Sequence, residues 1–166
     1  LLAEESIGRE LVRVRGVELE LKGNLTREVE LVAGYTHLDP RVAQSIAGYA
    51  GKYLMNVALD QGSIWGKYTW FNGPLAGLGL GAGVRYVGET YGDNFNTFVV
   101  PAYALVDAAI SYDFSYVRPD LKGLKAQVNV TNLANHYYVA SCFTGLPYCG
   151  LGNARTVLGT LKYSWN

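Results

Sequence analysis

From about Leu75 onward, apolar and polar residues alternate through run after run, with tight turns and longer loops between them. Leu78, Leu80, Ala82, Val84 and Tyr86 share one face of the first run, against Gly79, Gly81, Gly83 and Arg85. Ala104, Val106, Ala108, Ile110, Tyr112 and Phe114 oppose Tyr103, Leu105, Asp107, Ala109, Ser111 and Asp113. Leu124, Ala126, Val128 and Val130 oppose Lys125, Gln127, Asn129 and Thr131. The last run, Arg155 to Asn166, sets Val157, Leu161, Tyr163 and Trp165 against Thr156, Thr160, Lys162 and Ser164. A period of two belongs to strands with two unlike faces. None of the apolar faces named here carries a charge. Aromatic residues gather at their short-turn ends, as in membrane-crossing strands with an interfacial girdle.

The earlier half repeats the device. Val17, Leu19 and Leu21 alternate with Glu18, Glu20 and Lys22, and a turn at Asn24 to Arg27 follows. Val29, Leu31, Ala33 and Tyr35 then oppose Glu30, Val32, Gly34 and Thr36. Asp39 to Lys52 reads as a longer polar segment, and the next run ends at Phe71 with Ile64, Tyr68 and Trp70 on its apolar face. The uncharged stretch Tyr68 to Val84 contains Asn72-Gly73-Pro74 and alternating glycines, which suit a hairpin and exclude a spanning helix. The pattern predicts about seven strands, with short and long connections in alternation. Outer-membrane barrels have this asymmetry, with tight periplasmic turns and long external loops.

A soluble sandwich or lipocalin-like barrel would show the same period with its apolar face turned inward. The aromatic ends, the small wet residues of the polar face and the strand length favour a membrane barrel. Seven strands cannot close, because bacterial single-chain barrels have even numbers from eight upward. The expectation is an all-β, antiparallel transmembrane β-barrel of which residues 1–166 are a C-terminal part. Its partner strands would lie upstream of Leu1, an expectation in keeping with a sequence whose single Met is Met55 and in which no charged-then-apolar segment stands before the first strand.

The formal net charge is zero, and no basic cluster occurs, which argues against nucleic acid. Cys142 and Cys149 are spaced unlike the short Cys pairs of zinc sites, and the only histidines are His37 and His136. A Cys142–Cys149 disulfide outside the membrane is the expectation, with no metal site. Glu18 with Glu20, and Asp107 with Asp113, share faces but lack a nucleophile and base, so they read as solvated or ion-paired lumen groups rather than catalysts. Gly79-Leu80-Gly81-Ala82-Gly83 lacks the spacing of a dinucleotide fingerprint. It predicts a bend or thinning of the strand and, compatibly with that, a cleared lumen wall that something approaches closely. Tyr91, Phe95, Phe98, Tyr138, Phe143 and Tyr148 lie in or beside two external loops. They are candidates for an external ligand surface, and the competing role is loop packing and interfacial anchoring.

Several motifs in order resemble one family. Arg15-Gly16-Val17-Glu18-Leu19-Glu20, Gly83-Val84-Arg85-Tyr86-Val87-Gly88 with Tyr91-Gly92-Asp93, Val106-Asp107-Ala108 with Ser111-Tyr112-Asp113, and Asn129-Val130-Thr131-Asn132-Leu133 with Tyr138-Val139-Ala140-Ser141-Cys142 look like the C-terminal barrel of TonB-dependent ferric-siderophore receptors. The likeness is to the ferrichrome-type branch, whose last loop also carries a Cys pair. The resemblance implies a barrel of about 22 strands around a plug domain that is absent from this chain. It implies a bacterial outer-membrane receptor, not an enzyme, that imports a ferric siderophore of the hydroxamate type, with no cofactor. Its partners would be the bilayer, the TonB energy-transducing complex through the missing part, and the barrel-assembly machinery through the last strand. Cobalamin, haem or an oligosaccharide are rival ligands, and a small structural or adhesive barrel is a rival class. The chain departs from the family at Ala58 and Asp60, where Pro and His are common, and in having Asn166 after Trp165.

Overall fold

The computed structural model describes residues 2–7, 10–142 and 148–165. The chain runs through β1 (Leu2–Ile7), β2 (Glu10–Asn24), β3 (Val29–Gln44), β4 (Asp60–Thr69), β5 (Leu78–Val87) and β6 (Thr90–Tyr91). It continues through β7 (Val99–Val100), β8 (Tyr103–Asp113), β9 (Leu124–Thr131), β10 (Val139–Cys142), β11 (Cys149–Leu151) and β12 (Thr156–Tyr163). Among the described residues, eight strands form one sheet in the order β1-β2-β3-β4-β5-β8-β9-β12. Every neighbouring pair is antiparallel. Two small hairpins, β6–β7 and β10–β11, stand apart from it.

The sheet therefore has one strand more than the alternation predicts. β1 escapes a periodicity search because Glu4 and Glu5 are adjacent and its six residues show no two-faced pattern; pairing with β2 makes it a strand. β3 also runs on to Gln44, absorbing the start of the segment expected to be a loop. Pro40 lies within β3 opposite Val14, and its carbonyl accepts a hydrogen bond from Leu54 N–H at 2.9 Å.

The ladder sorts the faces. Tyr68 stands opposite Leu80, Leu80 opposite Ile110, and Ile110 opposite Val128, giving one apolar row across four strands. A soluble barrel would bury this row, yet Ile110 is 47% exposed and Leu161 on β12 is 70% exposed. The buried apolar residues (Val42, Tyr49, Ala58, Val100, Leu105 and Cys142) lie instead at the long-loop end, with Pro40 fully buried among the strand residues there. Among the described residues, none of the buried ones lies on the sheet's greasy side, as on the outer wall of a membrane barrel.

The aromatic girdle gives the tilt. It lies at Tyr68 on β4, but on β9 the row continued from Tyr68 reaches Val128, whereas Leu124 faces the girdle residue Tyr163. The girdle thus slips by four residues over three strand spacings, an inclination of about 40° at 3.3 Å per residue and 4.8 Å per strand. Closed membrane barrels have tilts of this size. On β3, the outward residues from Val29 to Asp39 then rise about 25 Å, the height of an apolar band. At its upper edge Tyr35 Oη donates to Asp60 Oδ1 at 2.6 Å, and His37 Nδ1 lies 2.8 Å from the same oxygen. Asp60 thus starts β4 in ladder with His37 despite departing from the family's usual residue.

On the inner face, the alternate glycines of β5 leave its register with β4 and β8 unbroken. Gly81 and Gly83 make room for Trp65 of β4. A Cβ at Gly81 would meet Trp65 Cζ2 at 2.5 Å, and one at Gly83 would meet Cε3 at 2.6 Å. What approaches the cleared wall is an indole of the neighbouring strand.

Candidate functional site

Three long connections, 45–59, 88–102 and 132–155, leave the upper end of the sheet. Side chains hold them together, and one residue type dominates. Among the described residues, the non-glycine positions with positive φ are Asn56, Asn96, Asn132 and Asn135, with φ between 52° and 58°. Asparagine tolerates this left-handed region, and its amide can pair with a peptide group.

Asn132 is 2% exposed and anchors the third loop to the sheet. Its Nδ2 donates to His136 O at 2.9 Å and Asn153 O at 3.0 Å, while Oδ1 accepts from His136 N–H at 2.8 Å. Its own N–H donates to Asp107 Oδ1 at 2.9 Å. Arg85 Nη2 reaches the same carboxylate at 3.0 Å, and Arg85 Nε adds a second bond. The Arg85, Asp107 and Asn132 motifs, distant in sequence, converge on one hydrogen-bonded cluster at the base of the loops. Asp113 at the opposite end pairs with Lys125 at 2.9 Å. Both carboxylates are ion-paired.

Tyr53 binds the first two loops together. Its N–H donates to Asn96 Oδ1 at 2.8 Å, and Asn96 Nδ2 donates to Tyr53 O at 3.0 Å. The Tyr53 ring stacks on Tyr91, centroids 5.3 Å apart, and the Arg41 guanidinium lies 4.0 Å from its centre. Asp93 caps the turn that follows β6, accepting from Phe95, Thr97 and Phe98 N–H and from Thr97 Oγ1. Burial pushes its carboxyl up, but these bonds together outweigh that and hold it below the usual carboxylate range. Tyr49 Oη donates to Glu10, a bond that with burial raises the phenol. The sulfurs of Cys142 and Cys149 are bonded across the directly opposed pair of β10 and β11.

The five described candidate rings do not form one cluster. Tyr91 is half-buried under Tyr53. Phe95 is exposed and meets Tyr49 edge-on at 5.8 Å. Phe98 covers Gly92, where a Cβ would strike its ring. Tyr138 lies against Tyr103, centroids 4.2 Å apart, and over Gly152 in the same manner. Tyr148 is exposed; Phe143 lies outside the described residues. Tyr138 also lines a cleft of about 230 Å³ with Tyr103, His136, Tyr137 and Leu151. That is smaller than the 300–1,000 Å³ usual for ligand pockets. A depression of about 640 Å³ lies over Gly66, Ala82 and Ala108 on the outward face.

Sequence reasoning placed the rings in the loops but missed the asparagines that shape them. The signal was present: Asn recurs where the loops turn, and Asn132 and Asp107 each sit in a quoted motif.

The family follows from comparison with known proteins. Residues 6–133 match the model described as TonB dependent receptor-like, beta-barrel. The chain belongs to this family. It is 39% identical to the ferrioxamine B receptor of Salmonella typhimurium over 96% of its length, covering 22% of that protein. It is 40% identical to the ferrichrome outer membrane transporter/phage receptor of Escherichia coli K12 over 92% of its length, covering 20% of that protein. The solved siderophore receptor PiuA from Acinetobacter baumannii superposes with a TM-score of 0.74 at 27% identity, over 93% of this chain and 22% of its own. The chain thus spans about a fifth of these proteins, and its sheet is part of a larger barrel.

Proposed function

We propose that this chain is the C-terminal part of the barrel of a bacterial outer-membrane receptor for a ferric hydroxamate siderophore, not an enzyme. The observation carrying this reading is the identity of 39–40% to receptors named for ferrioxamine B and ferrichrome across nearly the whole chain. The geometry supports it in kind. A sheet with a lipid face carries loops tied into a layer, with exposed or cleft-lining aromatics at Phe95, Tyr138 and Tyr148. Rings with polar tips suit a compact chelate with mixed surface. In this reading a plug domain and the remaining strands complete the site, and the TonB complex drives import through that plug. The assembly machinery meets β12, and the bilayer surrounds the outward face.

The test uses the full-length receptor. Tyr91, Phe95, Phe98, Tyr138, Phe143 and Tyr148 are replaced singly by alanine, and binding of ferrioxamine B and ferrichrome is measured after confirming outer-membrane arrival. One or two variants should lose about 1–3 kcal/mol of binding, as hot-spot residues do. Tyr138 ranks first because it lines the cleft. Absence of binding to either chelate by the unaltered receptor would reject the ligand class. Unchanged affinity in all six variants would return the rings to loop packing.

A further inference from the structure

Asn56 does something that neither the fold nor the ligand reading requires. It stands midway along the first long loop, yet its side chain engages the last one. Nδ2 donates to Cys142 O at 2.7 Å, and Oδ1 accepts from Cys142 N–H at 2.8 Å. One primary amide thereby satisfies both peptide groups of a residue 86 positions away and only 3% exposed. The backbone N–H of Asn56 meanwhile donates to Tyr91 O in the second loop at 2.9 Å. A single residue with φ of 58° touches all three loops. Just before it, Tyr53 is clasped by Asn96 through the same paired-amide pattern. Among the described residues, no strand ladder links the β10–β11 hairpin to the other two loops.

We propose that Asn56 is a positioning residue that couples the disulfide-closed β10–β11 hairpin to the two other loops, so that the three open and close as one body. The amide can do this because it replaces a rung of β-ladder: donor and acceptor are both used, and both are needed. Aspartate keeps the acceptor but sets an oxygen against Cys142 O, converting one bond into repulsion. Glycine keeps the left-handed backbone and the N–H bond to Tyr91 but removes the clasp. Loosening one loop should then loosen the others only while Asn56 is present. In its ligand consequence the proposal rests on the receptor reading: a coupled layer releases a bound chelate slowly, because all three loops must move together.

The experiment compares the full-length receptor with N56G and N56D by hydrogen exchange in nanodiscs, ligand-free, before and after reduction of the Cys142–Cys149 bond. In the unaltered receptor, reduction should raise exchange by about tenfold or more at Cys142 and also at residues 53–56 and 91. In both variants the rise should stay within β10–β11. The amides of β9 and β12 report that the barrel remains folded. An equal spread of the effect with and without Asn56, or no spread in the unaltered receptor, would overturn the proposal. These outcomes need no ligand, so they stand apart from any failure of the receptor reading. If ferric hydroxamate binds, N56G should dissociate it about tenfold faster with little change in association rate, as interface changes act mainly on release. An unchanged release rate would overturn the ligand consequence alone.

Discussion

The sheet and the loop layer above it are held by different means. In the sheet, backbone ladders carry the structure and side chains are sorted by face, with few bonds between them beyond Arg85–Asp107 and Asp113–Lys125. In the loops, regular ladders shrink to two short hairpins, and side chains take over the pairing of peptide groups. Four left-handed asparagines and Asp93 perform most of that work. A structure made of ladders is specified by periodicity and tolerates exchange of single residues on its wet face. A structure made of side-chain clasps is specified by individual residues.

The sharpest way to break this contrast lies in the sheet. Val128 stands four residues above the girdle position Leu124 on the outward face, about 10 Å into the apolar band. Val128→Arg should cost about 2–4 kcal/mol, whereas Lys125→Glu, on the inner face of the same strand, should cost less even though it sets a second carboxylate beside Asp113. Equilibrium refolding of the full-length receptor into bilayers reads both. Equal costs would mean that the apolar row does not face lipid.

A smaller effect is expected where the two regions join. Asp107→Ala removes the acceptor for Arg85 and for the Asn132 N–H, leaving a buried amide short of a partner. It should cost about 1.5–3 kcal/mol, the range for bonds to charged groups. Asp107→Asn keeps an oxygen for Asn132 and should cost less. The loss should show in the third loop, as faster exchange at Asn132 and His136, with the lower half of β8 unaffected. Loss spread evenly along β8 would place Asp107 with the ladder rather than with the clasps.

This division also explains what the sequence could convey. Alternation exposed β5, β8, β9 and β12 because each residue there, such as Ile110 or Lys125, states its face by its chemistry. β1 stayed hidden because Glu4-Glu5 contradicts a period of two and only its partner strand defines it. The glycines at 81 and 83 were visible, but their occupant was not: Trp65 belongs to another strand, and periodicity says nothing of what lies across a ladder. The rings of the candidate site were legible as residue types in loops. Their actual neighbours, Tyr53 for Tyr91 and Tyr103 for Tyr138, depend on clasps such as Asn56–Cys142 that span 86 positions. No local pattern encodes such a bond.

The weakest expected effect separates the regions by acidity. The carboxylate of Asp93 is buried in part, which disfavours its charge, but the Thr97 hydroxyl and the amides of Thr97, Phe95 and Phe98 favour it more, so the folded carboxyl titrates below its unfolded value. A group depressed in this way stabilises the turn fully above the unfolded value, about 3.9 for aspartate, and loses that contribution as pH falls through the folded one. Between pH 7 and pH 5 the turn should therefore be indifferent to acid, and it should loosen only below about pH 4. Amide chemical shifts of Phe95, Thr97 and Phe98 in the nanodisc-embedded receptor should move together in that lower window. Those of Ala108 and Val128, held by ladder bonds with no titrating acceptor, should stay still. In Asp93→Asn the loop amides should lose their titration while keeping an oxygen acceptor in place. Titration of the three amides near or above the ordinary aspartate value would show that their bonds do not favour the charged form, and the turn would then owe its shape to the Phe98–Gly92 contact instead.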